Sequence, residues 1–172
     1  RKDGKEMFGA LTVQPVRDDL GGIVRWEGAL EDLSEKRRAE AALEEQKAYF
    51  QQLFDNSPLA IVFMDPSGAV IDVNESFEDL FGYAKDEVKE LETTIIPERF
   101  QEESLEFLKA CRRGEALSEE TVRRSKSGRE IEVSLVSYPL LLNGQVAGGF
   151  LIYSDISSQK AYEKQLSHQA LH

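Results

Sequence analysis

The chain has 172 residues, enough for one well-buried domain with extra pieces or for two very small domains. Its 21 Lys+Arg against 32 Asp+Glu leave a formal charge of −11, which disfavours nucleic acid and anionic membrane as partners and points to proteins or small molecules. The lone Cys111 forms no internal disulfide, and the two histidines near the C-terminus build no His-rich metal site with it; a reducing compartment, the cytoplasm, is expected.

No apolar run approaches the roughly 18 to 20 residues of a membrane helix, so no membrane contact is expected of this segment. The first residue, Arg1, is not an initiator methionine. The segment therefore reads as a piece of a longer parent, whose other parts are free to carry a membrane anchor.

The N-terminal stretch matches a later one. Shifted by 124 residues, "RKDGKEMFGALTVQPV" falls on "SKSGREIEVSLVSYPL", pairing Lys2/Lys126, Gly4/Gly128, Glu6/Glu130, Leu11/Leu135 and Pro15/Pro139. One extra residue near Leu20 carries the match through Gly21/Gly144, Asp32/Asp155, Ser34/Ser157, Glu40/Glu163 and Leu43/Leu166. A repeat of hairpin, junction and charged helix is indicated, with the N-terminal copy only a half-domain. The helix "SEKRRAEAALEEQKAYFQQLFDN" follows, with Ala39, Leu43, Gln46, Phe50 and Leu53 on a short, weak coiled-coil seam; a solvated helix packing on its own domain is the other reading.

"LAIVFMD" and "AVIDVN" flank "PSG" and read as a hairpin turning at Pro66 and Gly68. Asn74 then caps a short helix carrying Phe77, Leu80 and Phe81 and ending at Gly82. "KDEVKELETTIIPERF" gives one or two helical turns broken at Pro97. "RFQEESLEFLKACRRGE" places Phe100, Phe107, Leu108 and Cys111 on one stripe of an amphipathic helix ending at Gly114. "EETVRRS", "REIEVSLVSYPLLL" and "QVAGGFLIYS" read as three strands joined by "KSG" and "NG" turns. The order implies an α+β fold: a five-stranded antiparallel sheet with short helices on one face, flanked by N- and C-terminal linker helices.

These elements together resemble a PAS (sensory box) domain of bacterial multidomain signalling proteins. The residues that carry the resemblance are "LFDNSPLAIVFMDPSGAVIDVNESFEDLFGY", "RRSKSGREIEVSLVSYPL" and "GGFLIYSDISSQK", the last similar to a terminal Asp-Ile-Thr signature with serine for threonine. By that standard residues 1–35 look like the C-terminal strands of a preceding PAS domain, 36–48 a linker helix, 49–158 a complete PAS domain and 159–172 an exit helix. The tail "LSHQALH" is similar to the lead-in between PAS and GGDEF diguanylate cyclase domains, which implies a parent making c-di-GMP. A histidine kinase is the alternative, although His168 is followed by Gln169 and Ala170 where that family has Glu and Leu.

No nucleophile–base pair, phosphate loop or metal cluster can be assembled, and Glu102, Glu103 and Glu106 are expected as a solvated helix face, so the segment is not expected to be an enzyme. The resemblance implies a core site, but His-ligated haem lacks its histidine on the long helix. A photoadduct flavin lacks its cysteine motif, with Cys111 on the wrong helix and expected as a buried thiol. The cofactor therefore stays unknown. Candidate lining for a small organic ligand is Phe63, Asn74, Phe77, Phe81, Phe107, Cys111, Ser134, Val136 and Phe150, all equally readable as plain core. Asp155, Ile156 and Ser157, with their copy Asp32, Leu33 and Ser34, are the expected signalling junction. Two function classes follow: a sensory, dimerising module acting as a homodimer through its flanking helices, or a spacer that senses nothing.

Overall fold

A computed structural model describes residues 7–89 and 94–169, with side chains through Ser167. The repeat pairs at Lys2, Gly4 and Glu6, the middle of "KELETT" and the side chains from His168 onward lie outside the described residues. The chain divides into two compact units, residues 1–51 and 52–172.

In the first unit β1 (Gly9–Arg17) and β2 (Ile23–Asp32) form an antiparallel hairpin whose register runs from Gly9 opposite Asp32 to Pro15 opposite Trp26. Helix α1 (Ser34–Asp55) starts directly after it and runs on into the second unit. Almost every hairpin residue is exposed, including Leu11, Val24, Trp26 and Leu30, so this ribbon buries neither face within its unit. A two-stranded ribbon in that condition is marginal by itself.

The second unit contains β3 (Ala60–Met64), β4 (Val70–Val73), α2 (Glu75–Phe81), α3 (Gln101–Arg112), β5 (Leu117–Arg124), β6 (Glu130–Leu142), β7 (Gln145–Asp155) and α4 (Ser157–Gln169). Its five strands are antiparallel in the order β4-β3-β7-β6-β5, so this is the α+β architecture expected from the sequence. The turns form where the glycines permit positive φ: Gly68 closes the β3–β4 turn at φ 94°, and Asn143-Gly144, at 53° and 79°, close β6–β7.

Strand alternation sends Val62, Met64, Ile131, Val133, Leu135, Leu151 and Tyr153 to one face, where α2 and α3 cover them with Phe77, Phe81 and Phe107. Phe77, Phe81 and Tyr153 meet at ring-centroid distances of 4.8 to 6.5 Å, and the tilted and edge-on geometry suits aromatic quadrupoles. At Gly148, φ is 151° and an added Cβ would lie 2.3 Å from the Met64 carbonyl oxygen, so only glycine lets β7 approach β3 there.

Candidate functional site

Three features of the second unit bear on function: a buried amide, a cavity and the exit junction. The amide belongs to Asn74, which is 1% exposed and follows β4. Its Oδ1 accepts from Phe77 N at 3.1 Å, the α2 cap, and from Ile61 N at 2.8 Å. Its Nδ2 donates to the carbonyls of Phe54 and Leu59, both at 2.9 Å. One side chain thus ties the end of α1, the entry to β3 and the start of α2, with its hydrogen-bonding capacity filled.

The cavity, about 290 Å³, lies between the sheet and α3. Its mouth is formed by Ser67, Gly68 and Ala69 of the β3–β4 turn against Ser104 and Leu108 of α3. Its floor is Met64, Phe107, Leu135 and Leu151, with Tyr153 and Arg123. Arg112 holds the mouth together, donating to the carbonyls of Pro66 at 3.1 Å and Ser67 at 2.9 Å. Asp65 organises the turn through Oδ1, accepting from Ser67 N, Ser67 Oγ and Ala69 N; the Ser67 hydroxyl is foremost in holding this carboxyl below its ordinary value.

Arg123 is the unexpected member. It is 1% exposed on the inner face of β5, and Nη1 donates to Thr121 Oγ1 at 3.0 Å and Val122 O at 2.9 Å. Nη2 reaches Glu103 Oε1 at 3.2 Å, and Thr121 Oγ1 donates to Glu103 Oε2 at 2.9 Å. Nε has no partner. Burial pushes the neighbouring Tyr153 phenol up; Arg123 opposes this by charge and hydrogen bonding, while the Glu103 charge adds to the rise.

Of the residues expected to line a cavity, the structure places Phe107 in its wall and Phe77 and Phe81 in the packed core beside it. Asn74 serves as the tie described above. Cys111 is buried, with Sγ 3.6 Å from the Gly148 carbonyl oxygen, and burial raises its thiol, consistent with an unreactive structural cysteine. Phe63, Ser134, Val136 and Phe150 are half-buried on the opposite face of the sheet, where Phe63 stacks on Phe150 at 4.8 Å. The pleat decides this, because Met64, Leu135 and Leu151, one position along, occupy the inner face. Glu103, expected in solvent, is instead drawn in by Arg123 and Thr121.

Sequence reasoning missed Arg123, which stands in "EETVRRS" as one of several charged residues of a strand. The signal was in the pairing: Arg123 faces Ile131 and Thr121 faces Val133, both core positions of β6.

At the exit, Asp155 Oδ1 accepts from Ser157 N at 2.8 Å, and Ile156 N donates to Glu132 O at 2.9 Å. The N-terminal copy repeats this: Asp32 Oδ1 accepts from Ser34 N at 3.0 Å, and Leu33 N donates to Phe8 O at 2.8 Å. Ion pairs join Lys160 of α4 to Glu120 of β5, and Lys164 to Glu132 of β6.

The family profile described as PAS domain matches residues 58–158. Among solved structures, a PAS domain from Colwellia psychrerythraea is similar at 26% identity and TM-score 0.57, covering 67% of this chain and 98% of that one. The PAS domain of an HTR-like protein from Haloarcula marismortui is 26% identical at TM-score 0.59, covering 70% and 99%. A domain of a sensory box sensor histidine kinase/response regulator from Geobacter sulfurreducens is 26% identical at TM-score 0.55, covering 66% and 96%. No curated protein matches the chain.

Proposed function

This chain belongs to the PAS domain family, the sensory and regulatory modules of signal transduction, and from that premise we propose how it works. Residues 49–158 sense a small organic ligand in the cavity, and the change leaves through Asp155, Ile156 and Ser157 to α4 and a C-terminal effector. The observation that carries this is the continuity of inner sheet and exit. Leu151 and Tyr153 line the cavity on the strand that ends at Asp155, and Asp155 in turn holds the first turn of α4. A shift of β7 under a ligand therefore changes the angle at which α4 starts. The cavity also favours sensing over a pure spacer role, which needs no such space.

The effector is a diguanylate cyclase, supported by the similarity of "LSHQALH" to the lead-in of such domains. Residues 1–35 are the closing strands of a preceding PAS domain, supported by the matching junction geometry and the uncovered hairpin. Two copies pair through their flanking helices, a reading supported by the exposure of Leu43, Phe50 and Leu53 along α1 and of Tyr162 and Leu166 on α4. The test is Asp155→Ala in the full-length parent. Its fold is expected to survive, because loss of an exposed cap costs only about 1 kcal/mol, while c-di-GMP output stops responding to the stimulus. Output that still follows the stimulus refutes the relay.

A further inference from the structure

Resting on the reading of the cavity as a sensing site, we infer that the β3–β4 turn, residues 65–69, is its gate: latched to α3 by Arg112, it swings away as one piece to admit and release the sensed molecule. Three observations lead there. The first is where the cavity is closed. Solvent barely reaches its floor, with Phe107 3%, Leu135 1% and Leu151 6% exposed. Among the described lining residues, those not buried are Ser67, Gly68 and Ala69 of the turn and Ser104 and Leu108 of α3. A molecule bound for the floor therefore enters along the seam between these two elements.

The second observation is that the turn is stiff and its root is not. Asp65 N donates to Ala69 O and Gly68 N to Asp65 O, both at 3.0 Å, while Asp65 Oδ1 gathers Ser67 N, Ser67 Oγ and Ala69 N. These bonds close within the turn, so it moves as a unit and none of them breaks when it does. Below it the register of β3 against β4 shifts between Phe63 and Met64, and that irregularity interrupts the ladder where a hinge is needed.

The third is that the seam is thin. Arg112, an exposed side chain, spans it with two hydrogen bonds, from Nε to Pro66 O at 3.1 Å and from Nη2 to Ser67 O at 2.9 Å. Beside them Leu108 packs on Gly68, where an added Cβ would lie 3.0 Å from Leu108 Cδ1. Hydrogen bonds at an exposed seam exchange readily for bonds to water, so the latch opens without disturbing the core. Its strength sets how fast the sensor resets when the signal molecule leaves. The closed turn makes the same two bonds to Arg112 whether the cavity is empty or filled. Losing them therefore speeds entry and exit together and leaves the affinity in place.

The probes are benzene, which an apolar cavity of roughly 150 Å³ already admits, and n-hexane. Each is titrated into the 172-residue chain, and its affinity and its entry and exit rates are read from the exchange of the Leu135 and Leu151 methyl resonances between free and bound positions. Arg112→Met keeps most of the side-chain stem and removes both donors; it is expected to raise the entry and exit rates roughly tenfold, with the dissociation constant unchanged within about twofold. Arg113→Met removes a neighbouring cation that pairs with Glu115 and does not touch the turn, and it is expected to leave both rates as they were.

Rates indifferent to Arg112→Met overturn the gate while leaving the sensing cavity standing. So does a rise in exit alone, which would make Arg112 a support of the bound state, and so does an equal rise in Arg113→Met, which would reduce the effect to loosening of the helix end. If neither benzene nor n-hexane moves Leu135 or Leu151, the sensing reading itself fails and takes this inference with it.

Discussion

Removing the Asn74 amide tests how the second unit is held together. Asn74→Ala strips partners from the Phe54 and Leu59 carbonyls and from the Ile61 and Phe77 amides, four groups at the meeting point of α1, β3 and α2. At about 1 kcal/mol for each net hydrogen bond lost, with some relief where Phe54 and Leu59 can reach water, the expected loss is about 3–5 kcal/mol. Against a typical total of roughly 5–15 kcal/mol, that is a large share.

Asn74→Asp adds a pH signature. Its Oδ1 can keep both amides, but the second oxygen then meets two carbonyl oxygens, so folding favours the protonated acid and raises its pKa above the unfolded value of about 3.9. A raised folded pKa contributes stability that is present below the unfolded value and lost as pH rises through the folded one. Asn74→Asp is therefore expected to approach the unmodified chain in acid and to match or exceed the damage of Asn74→Ala at neutral pH. Urea unfolding followed through the methyl signals of Val62 and Leu135 reports on this unit alone, whereas the tryptophan signal would report on Trp26 in the other. A loss below about 1 kcal/mol for Asn74→Ala, less than one net hydrogen bond, refutes the reasoning. So does an Asn74→Asp deficit, measured against the unmodified chain at each pH, that does not grow with pH.

Two further outcomes are expected. At Gly149 an added Cβ would sit 2.5 Å from Cys111 Sγ and 3.1 Å from the Tyr138 carbonyl oxygen. Gly149→Ala should then cost about 1–3 kcal/mol, and Cys111→Ala in the same chain should recover part of it; strictly additive costs in a double-mutant cycle would count against that packing. At the cavity mouth the Asp65 carboxyl is depressed, chiefly by the Ser67 hydroxyl, so its contribution is present above the unfolded pKa and lost as pH falls through the folded one. The turn should loosen only in acid, below the ordinary carboxylate range. A carboxyl-carbon titration of Asp65 with its midpoint at or above the unfolded value would contradict this.

The turn and cap residues made much of the second unit legible before any tertiary information. Pro66 and Gly68, Asn74 and Gly82, and Asn143 and Gly144 act on neighbours within a few residues, so local chemistry marked the hairpins and the ends of α2. The junctions were legible for the same reason, since Asp32 and Asp155 each bond an amide two residues on.

The inner faces of the strands were not legible. Apolar residues sit on both sides of β3, β6 and β7, so one sequence allowed Phe63 or Met64, Val136 or Leu135, and Phe150 or Leu151 to face the helices. Only the packing of α2 and α3 onto one face broke that symmetry. Arg123 shows the same limit most sharply: as one of several charges on a strand it looks like surface. Pairing with Ile131, burial under α3 and the approach of Glu103 from that helix turn it into a buried cation at the cavity.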